Sequence, residues 1–412
     1  MHSAPYLTAD LPRAEGRFKA RPEDFRVEEI PAYETCGAGD HVFFEIEKVG
    51  VSTHAAVQSV ARALGVAPRA IGYAGLKDSQ AVTRQMLSVE HVAEDVIEAL
   101  DFDRIRVVSV QRHRNKLRVG HLAGNRFVIR LRECGTDGAA RASAVLEVLA
   151  RRGVPNYFGP QRFGVRGDSW RVGRALLLGE HAEAAAWIAG RPGPLDHGRV
   201  RLARELFEQG EFERAARTWP GNFRDCIRLC TAMAKKRGDA KRALHAVDLG
   251  LLRLTVASYQ AWLFNQVLAE RVAELDRVWE GDLAWKHVNG SVFAVLDVAA
   301  EQVRADTFEI SPSGPLFGRR TTLPAGRPLE IELGVIANAG HTLEDFQRRG
   351  GALEWQGGRR PLRFPPAQWQ VTSGSDEHGD FVELRFVLPP GCYATSVLRE
   401  VLKSDDGDIA DG

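Results

Sequence analysis

The segment Gly72-Tyr-Ala-Gly-Leu-Lys-Asp-Ser-Gln-Ala-Val-Thr-Arg-Gln85 sets one carboxylate, Asp78, in a glycine-flanked turn between two apolar segments. Ile71 to Gly75 has the pattern of a strand end, and Thr83 to Val89 resumes an extended pattern, so Gly75 to Gln80 is the connection. A carboxylate held on a loop between rigid elements is placed to act as a nucleophile. The same aspartate could instead cap its own turn or face water, and the spacing leaves both readings open. Acting as a nucleophile requires ionisation, which a nearby cation favours. Lys77 is adjacent, but neighbouring side chains in an extended loop diverge, so the cation should come from elsewhere.

Other chemistry is sparse. Arg104, Arg106, Arg112, Arg114, Lys116 and Arg118 fall in one span with no acidic residue between them. Alternation of Arg104 and Arg106 with Ile105 and Val107 would point basic groups to one sheet face, a track for phosphates or simply a solvated face, with the offsetting acidic residues elsewhere. The net charge of +1 argues against indiscriminate coating of nucleic acid. No metal-ligand pattern is evident, and Gly72-x-x-Gly75-x-Lys77 lacks the Gly-Lys-Ser/Thr ending of a phosphate loop. Neither a metal nor a cofactor is therefore expected. Five cysteines are too few and scattered for a disulfide scaffold, and Cys226 and Cys230, four apart, suit buried thiols better than zinc. The N-terminus has no basic or apolar leader pattern, and no long uninterrupted apolar run follows, so a cytoplasmic protein without a membrane is the expectation.

The elements that must position Asp78 follow from periodicity. Val42 to Val49 is strand-like, Ser52-Thr53 caps a helix with Val57, Val60, Ala61 and Leu64 on one face, and Gly65 ends it. A helical pattern near 88–99, strands near 104–110 and 126–132, and a helix over Ala139 to Arg152 come next. Beyond Gly190-Arg-Pro-Gly-Pro194 the character changes to arginine-rich helices from Arg199 to Val247, an apolar helix from Ser258 to Val272, short strands over 281–298 and a turn-rich loop over 310–318. Strict alternation returns at Phe381 to Leu388, with Val382, Leu384, Phe386 and Leu388 on one face. With 412 residues two domains are expected, in an α+β arrangement around a mixed or antiparallel sheet, one inserted into the other.

Four ordered stretches carry a family resemblance: Lys19 with Pro22-Glu-Asp-Phe25; Glu47-Lys-Val-Gly-Val-Ser-Thr-His54; Asn156-Tyr-Phe-Gly-Pro-Gln-Arg-Phe-Gly164; and Leu388-Pro-Pro-Gly-Cys-Tyr-Ala-Thr-Ser-Val-Leu-Arg-Glu400. Together with the Gly-Leu-Lys-Asp core, the chain resembles the tRNA pseudouridine synthase D (TruD) family. The resemblance implies a discontinuous pseudouridine synthase domain, 1–181 and 351–412, interrupted by an α+β TRUD domain over 182–350. It implies that Asp78 is the nucleophile, and the N-terminal motif makes Lys19 the preferred cation over Arg162. Isomerisation of a uridine, by implication uridine 13 of tRNA for glutamate, needs an extruded base held by an aromatic face and polar edges. Phe25, Phe158 and Tyr393 are the aromatic residues at matching motifs, Asn156 suits a pyrimidine edge, and Gln161, Arg162 and Phe163 would shape the wall. The stretch from Gly164 to Ser258, with Lys235-Lys-Arg237, is longer than a minimal member needs. One protomer should suffice, a monomer with no protein partner, since no heptad pattern appears. The competing class is a non-catalytic structured-RNA-binding or RNA-folding protein, which would not need Asp78.

Overall fold

The structure, a computed structural model, describes residues 4–347, 353 and 355–404. The chain forms two compact units, one of residues 6–154 with 364–412, the other of 1–5 with 155–363. The expected boundary at 181/182 lies well inside the second unit, and the one at 350/351 falls outside the described residues.

In the first unit, β1 (Phe25–Pro31), β2 (His41–Val49), α1 (Thr53–Ala63), β3 (Gly72–Tyr73), β4 (Val82–Glu90), α2 (Glu94–Glu98), β5 (Ile105–His113), β6 (Leu122–Arg132) and α3 (Gly138–Arg152) form the leading leg. Ser52 caps α1 by accepting the Ala55 N–H at 3.2 Å, and the helix buries Ala56, Val57, Val60 and Ala61 against Val42, Phe44, Ile46 and Leu87. The helical expectation over 88–99 is corrected. Val89 and Glu90 pair with Val42 and His41 of β2, which extends β4 to Glu90 and leaves only Glu94–Glu98 helical. Long-range pairing outweighs a locally ambiguous pattern.

The main stretch of the second unit begins within β7 (Val154–Pro155), with α4 (Ser169–Leu178), α5 (His181–Ala189), α6 (Gly198–Glu208), α7 (Phe212–Thr218), α8 (Arg224–Lys235), α9 (Ala240–Ala243) and α10 (Leu249–Arg271) following. Trp170 of α4 stacks on Trp262 of α10 with centroids 4.6 Å apart and planes 7° apart, and Gly173 passes so close to Thr255 O that an added Cβ would lie 2.2 Å away. These non-local contacts tie the stretch before 181 to α10, which is why the boundary fell earlier than the composition shift. α10 also starts earlier than expected, because Asp248 caps it by accepting the Leu251 N–H at 3.1 Å. Cys226 and Cys230 are free thiols, pushed up by burial to about 11 and about 12.

Then follow β8 (Leu283–Lys286), β9 (Val292–Ala294), α11 (Val298–Asp306), β10 (Ile310–Leu316), α12 (Gly326–Asn338), α13 (Leu343–Gln347) and β11 (Gly358–Pro361), with β8 to β11 in a four-stranded sheet. The turn-rich loop expected over 310–318 is therefore a largely buried strand. It pairs with β8 through 310–312 and with β11 through 313–316, so each half leaves one side where a proline without N–H breaks no rung.

After β12 (Arg363–Phe364) the chain re-enters the first unit as β13 (Ala367–Asp376), β14 (Gly379–Leu388) and α14 (Ala394–Leu402). The sheet is eight-stranded and mixed, in the order β13-β14-β6-β1-β4-β2-β5 with β3 on β4, and β1 parallel to β4. Leu384 and Phe386 sit opposite Ile129 and Phe127, and the two phenyl rings lie 5.6 Å apart. Glu400, buried in α14, accepts the Leu7 and Thr8 N–H groups at 3.1 and 3.0 Å, so the two ends of the chain close one unit. Phe386, with no exposed surface, belongs to the core of this unit. Phe386→Ala is expected to destabilise this unit by about 3–5 kcal/mol, seen as a lower melting temperature.

Candidate active site

The loop between β3 and β4 is held so that Asp78 and Lys77 point to different partners. Asp78 Oδ2 accepts from Lys19 Nζ at 2.6 Å, and Oδ1 accepts from the Gln80 N–H at 2.9 Å. Lys77 instead donates to Glu29 Oε2 at 2.5 Å, and that carboxylate also accepts the Met86 N–H through Oε1 at 3.2 Å. The Lys77–Glu29 pair is almost wholly buried, whereas the Asp78 side chain keeps 27% of its surface open. A buried pair stiffens the loop; the accessible carboxylate is left for a ligand.

Lys19 is itself constrained. Its φ is +54°, a left-handed conformation unusual for a side chain of this length, and its ammonium lies 4.9 Å from the Phe25 ring centroid and 5.8 Å from that of Phe18. Burial pushes the Asp78 carboxyl upward, but the Lys19 hydrogen bond, the Gln80 N–H and the charges of Lys19 and Lys48 outweigh it and hold the group below the usual carboxylate range. Lys48 has no exposed surface and donates from Nζ to Val51 O at 2.5 Å and Asp78 O at 3.1 Å. Burial lowers its ammonium to about 8, with Asp78 pulling in the opposite direction. The site is an ionised, partly open carboxylate over a cation-backed aromatic floor.

The residues expected to serve together divide between the units. Asp78, Lys19, Phe25 and Tyr393 belong to the first; Asn156, Phe158 and Arg162 belong to the second. Phe25 is buried and packs edge-on against Phe127 at 6.2 Å, so it supports Lys19 from below. Tyr393, just before α14, is 45% exposed.

In the second unit Asn156 is 2% exposed and is spent at both ends of its amide, donating to Pro361 O at 2.8 Å and accepting from Arg360 Nη2 at 2.5 Å. In this structure the amide expected at a pyrimidine edge holds β11 in place. Phe158 is likewise buried, with Arg360 and Arg162 guanidinium carbons 4.4 and 5.1 Å from its ring centroid. Asn265 of α10 clamps its backbone, accepting from Phe158 N and donating to Phe158 O, both at 2.9 Å. Gln161 and Arg162 are exposed and Phe163 is buried. Sequence reasoning missed Asn265, Arg360 and Glu29, and it placed Lys48 in a motif without giving it a role. Glu29 gave a local signal, an acidic residue in phase with the buried Phe25 and Val27 of β1.

The basic track does not lie on one face. Arg106 stands opposite Glu47 of β2 and Arg112 opposite Val42, on alternate faces, because Val108 is bulged out between the Ser109 and Val107 pairings. Arg106 bonds Glu47 at 3.0 Å and Arg112 bonds Glu94 at 2.6 Å, so acidic partners sit beside the track, not elsewhere. Lys116 Nζ donates to Arg69 O at 2.7 Å, while Arg104, Arg114 and Arg118 are exposed. Among the described residues no group of three His, Cys, Asp or Glu could hold a metal ion, and no helix is long and apolar enough to cross a membrane.

Comparison with known proteins finds similarity over nearly the whole chain. The family model for tRNA pseudouridine synthase D (TruD) matches residues 2–401. A tRNA pseudouridine synthase D from Geobacter sulfurreducens is 47% identical over 402 residues, covering 98% of this chain and 97% of the relative. One from Anaeromyxobacter sp. is 39% identical over 406 residues, covering 98% and 97%. The crystal structure of a candidate TruD from Methanosarcina mazei superposes with a TM-score of 0.87 at 28% identity, covering 98% and 97% of the two chains. This chain belongs to the TruD family, and its activity is that of a TruD-type pseudouridine synthase.

Proposed function

We propose that this protein converts a uridine of transfer RNA, uridine 13 in the D-arm region with tRNA for glutamate as the first candidate, to pseudouridine, with Asp78 as nucleophile and Lys19 as its cation. The observation that carries this reading is the 2.6 Å Lys19–Asp78 pair on a loop clamped from below and open above. In the reaction the bond from ribose C1′ to uracil N1 breaks, the base turns over, and C1′ bonds to C5. C5 then loses its proton and N1 gains one, so the net change is an isomerisation without electrons gained or lost. An ionised Asp78 oxygen can bond the sugar carbon as the base departs or remove a sugar proton; both roles need the unprotonated form that Lys19 favours. Tyr393, exposed and in the same unit, is the aromatic residue we assign to the extruded base.

The first unit performs the chemistry and the second positions RNA, and one protomer carries both. No metal takes part in the reaction, so activity on a prefolded substrate is expected to survive exhaustive chelation; a metal requirement persisting with an unstructured minimal substrate would contradict this. Exposed Arg104, Arg114 and Arg118 are offered to phosphates. Lys235, Lys236 and Arg237, all exposed at the end of α8, serve the same purpose in the second unit. Replacing this triplet with neutral residues should weaken RNA binding and flatten its salt dependence by up to about three units of slope. Unchanged affinity and slope would assign the triplet to a solvated surface. The assignment as a whole is tested by pseudouridine formation on a tRNA transcript under single-turnover conditions, where tight binding without product would leave the RNA-binding alternative.

A further inference from the structure

Each of the three distinctive residues of the step Lys48-Val-Gly-Val-Ser-Thr53 reaches the backbone of the loop that carries Asp78. Lys48 donates to Asp78 O. Gly50, at φ +65° where glycine is favoured, donates its N–H to Ala81 O at 3.2 Å. Thr53 accepts the Lys77 N–H at 2.9 Å and donates its own hydroxyl to Gln85 Oε1 at 2.9 Å. The β2–β4 ladder ends at Val49 and Val82, so these loop groups have no rung of the sheet to satisfy them. Residues two and three apart in one turn thus hold positions 77, 78 and 81 of another.

We propose that Lys48, Gly50 and Thr53 form a brace that sets the aim of the Asp78 carboxylate, acting as positioning residues. Lys48 and Thr53 are too deeply buried to meet an RNA, at 0% and 1% exposure. A methionine would fill the space of Lys48 without the cost of burying a cation, and only the ammonium can hold the Asp78 and Val51 carbonyls together. Reaction geometry is demanding: a displacement of about 1 Å costs about 100-fold in rate. The brace rests on the reading of Asp78 as nucleophile.

Thr53→Val removes the acceptor at nearly constant volume, Thr53→Ser keeps it, and Lys48→Met removes the donor. Each full-length variant, with Asp78→Asn alongside, is measured for its single-turnover rate at saturating enzyme, its affinity for a tRNA transcript and its melting temperature. Thr53→Val and Lys48→Met are expected to slow the saturated rate by about 10- to 100-fold at unchanged RNA affinity, and Thr53→Ser to restore most of it. Reading Lys48→Met in parallel keeps the test open if a Thr53 variant fails to fold. Wild-type rates in whichever of Thr53→Val and Lys48→Met fold, or Thr53→Ser as slow as Thr53→Val, overturn the brace. An inactive Asp78→Asn beside such rates fails the brace alone, whereas an active Asp78→Asn fails the nucleophile reading.

Discussion

Asp78→Asn is expected to lower pseudouridine formation by at least about 10⁴-fold while RNA affinity changes little. The substitution keeps the volume and the hydrogen bond from Gln80 N, which Oδ1 can still accept. What it removes is the charge that faces Lys19 and the lone pairs that the reaction needs. Rapid-quench single-turnover kinetics reads the loss directly, because multiple-turnover rates can hide a slow chemical step behind product release.

Lys19→Met is expected to cost about 100-fold near neutral pH and to change the pH profile in a defined direction. In the native site the Asp78 carboxyl is held below the usual range, so activity should persist as the pH falls until that lowered value is reached. Removing Lys19 leaves burial, the largest influence, less opposed, and the carboxyl rises. The acid limb of the saturated rate should therefore move to higher pH in the variant. The same sign governs stability: the ion pair stabilises the fold above the unfolded pKa of Asp78, and that contribution is lost as pH falls through the folded value. A variant whose acid limb coincides with that of the native protein would remove Lys19 as the partner of Asp78.

Much of the first unit was legible because its strands alternate cleanly. Val382, Leu384, Phe386 and Leu388 share a face in the structure as their spacing predicts, since a period of two admits no other arrangement. Asp78 stood out because glycines bound its turn. The positive φ of Lys19 and the second hydrogen bond of Lys48 have no local signal, because both depend on strands that meet only in the folded sheet. The surroundings of Asn156 and Phe158 were not legible for a related reason. A motif shows that residues are constrained, but not whether a ligand or β11 and α10 impose the constraint. The prolines of β10 look like loop residues until the half-and-half pairing of that strand is seen. The basic span turns at one bulged residue, Val108, which sends the later side chains of β5 to the other face, and the alternation of Arg104 to Val107 lies before that residue and cannot show it.

Whether this chain makes a tRNA pseudouridine through Asp78 is decided by mapping pseudouridine in RNA from cells with and without the gene. Position 13 of tRNA for glutamate is expected to lose the modification in the deletion strain, regain it with the native gene and stay unmodified with the Asp78→Asn gene. Every tRNA site intact in the deletion strain, with only a ribosomal RNA site lost, would contradict it.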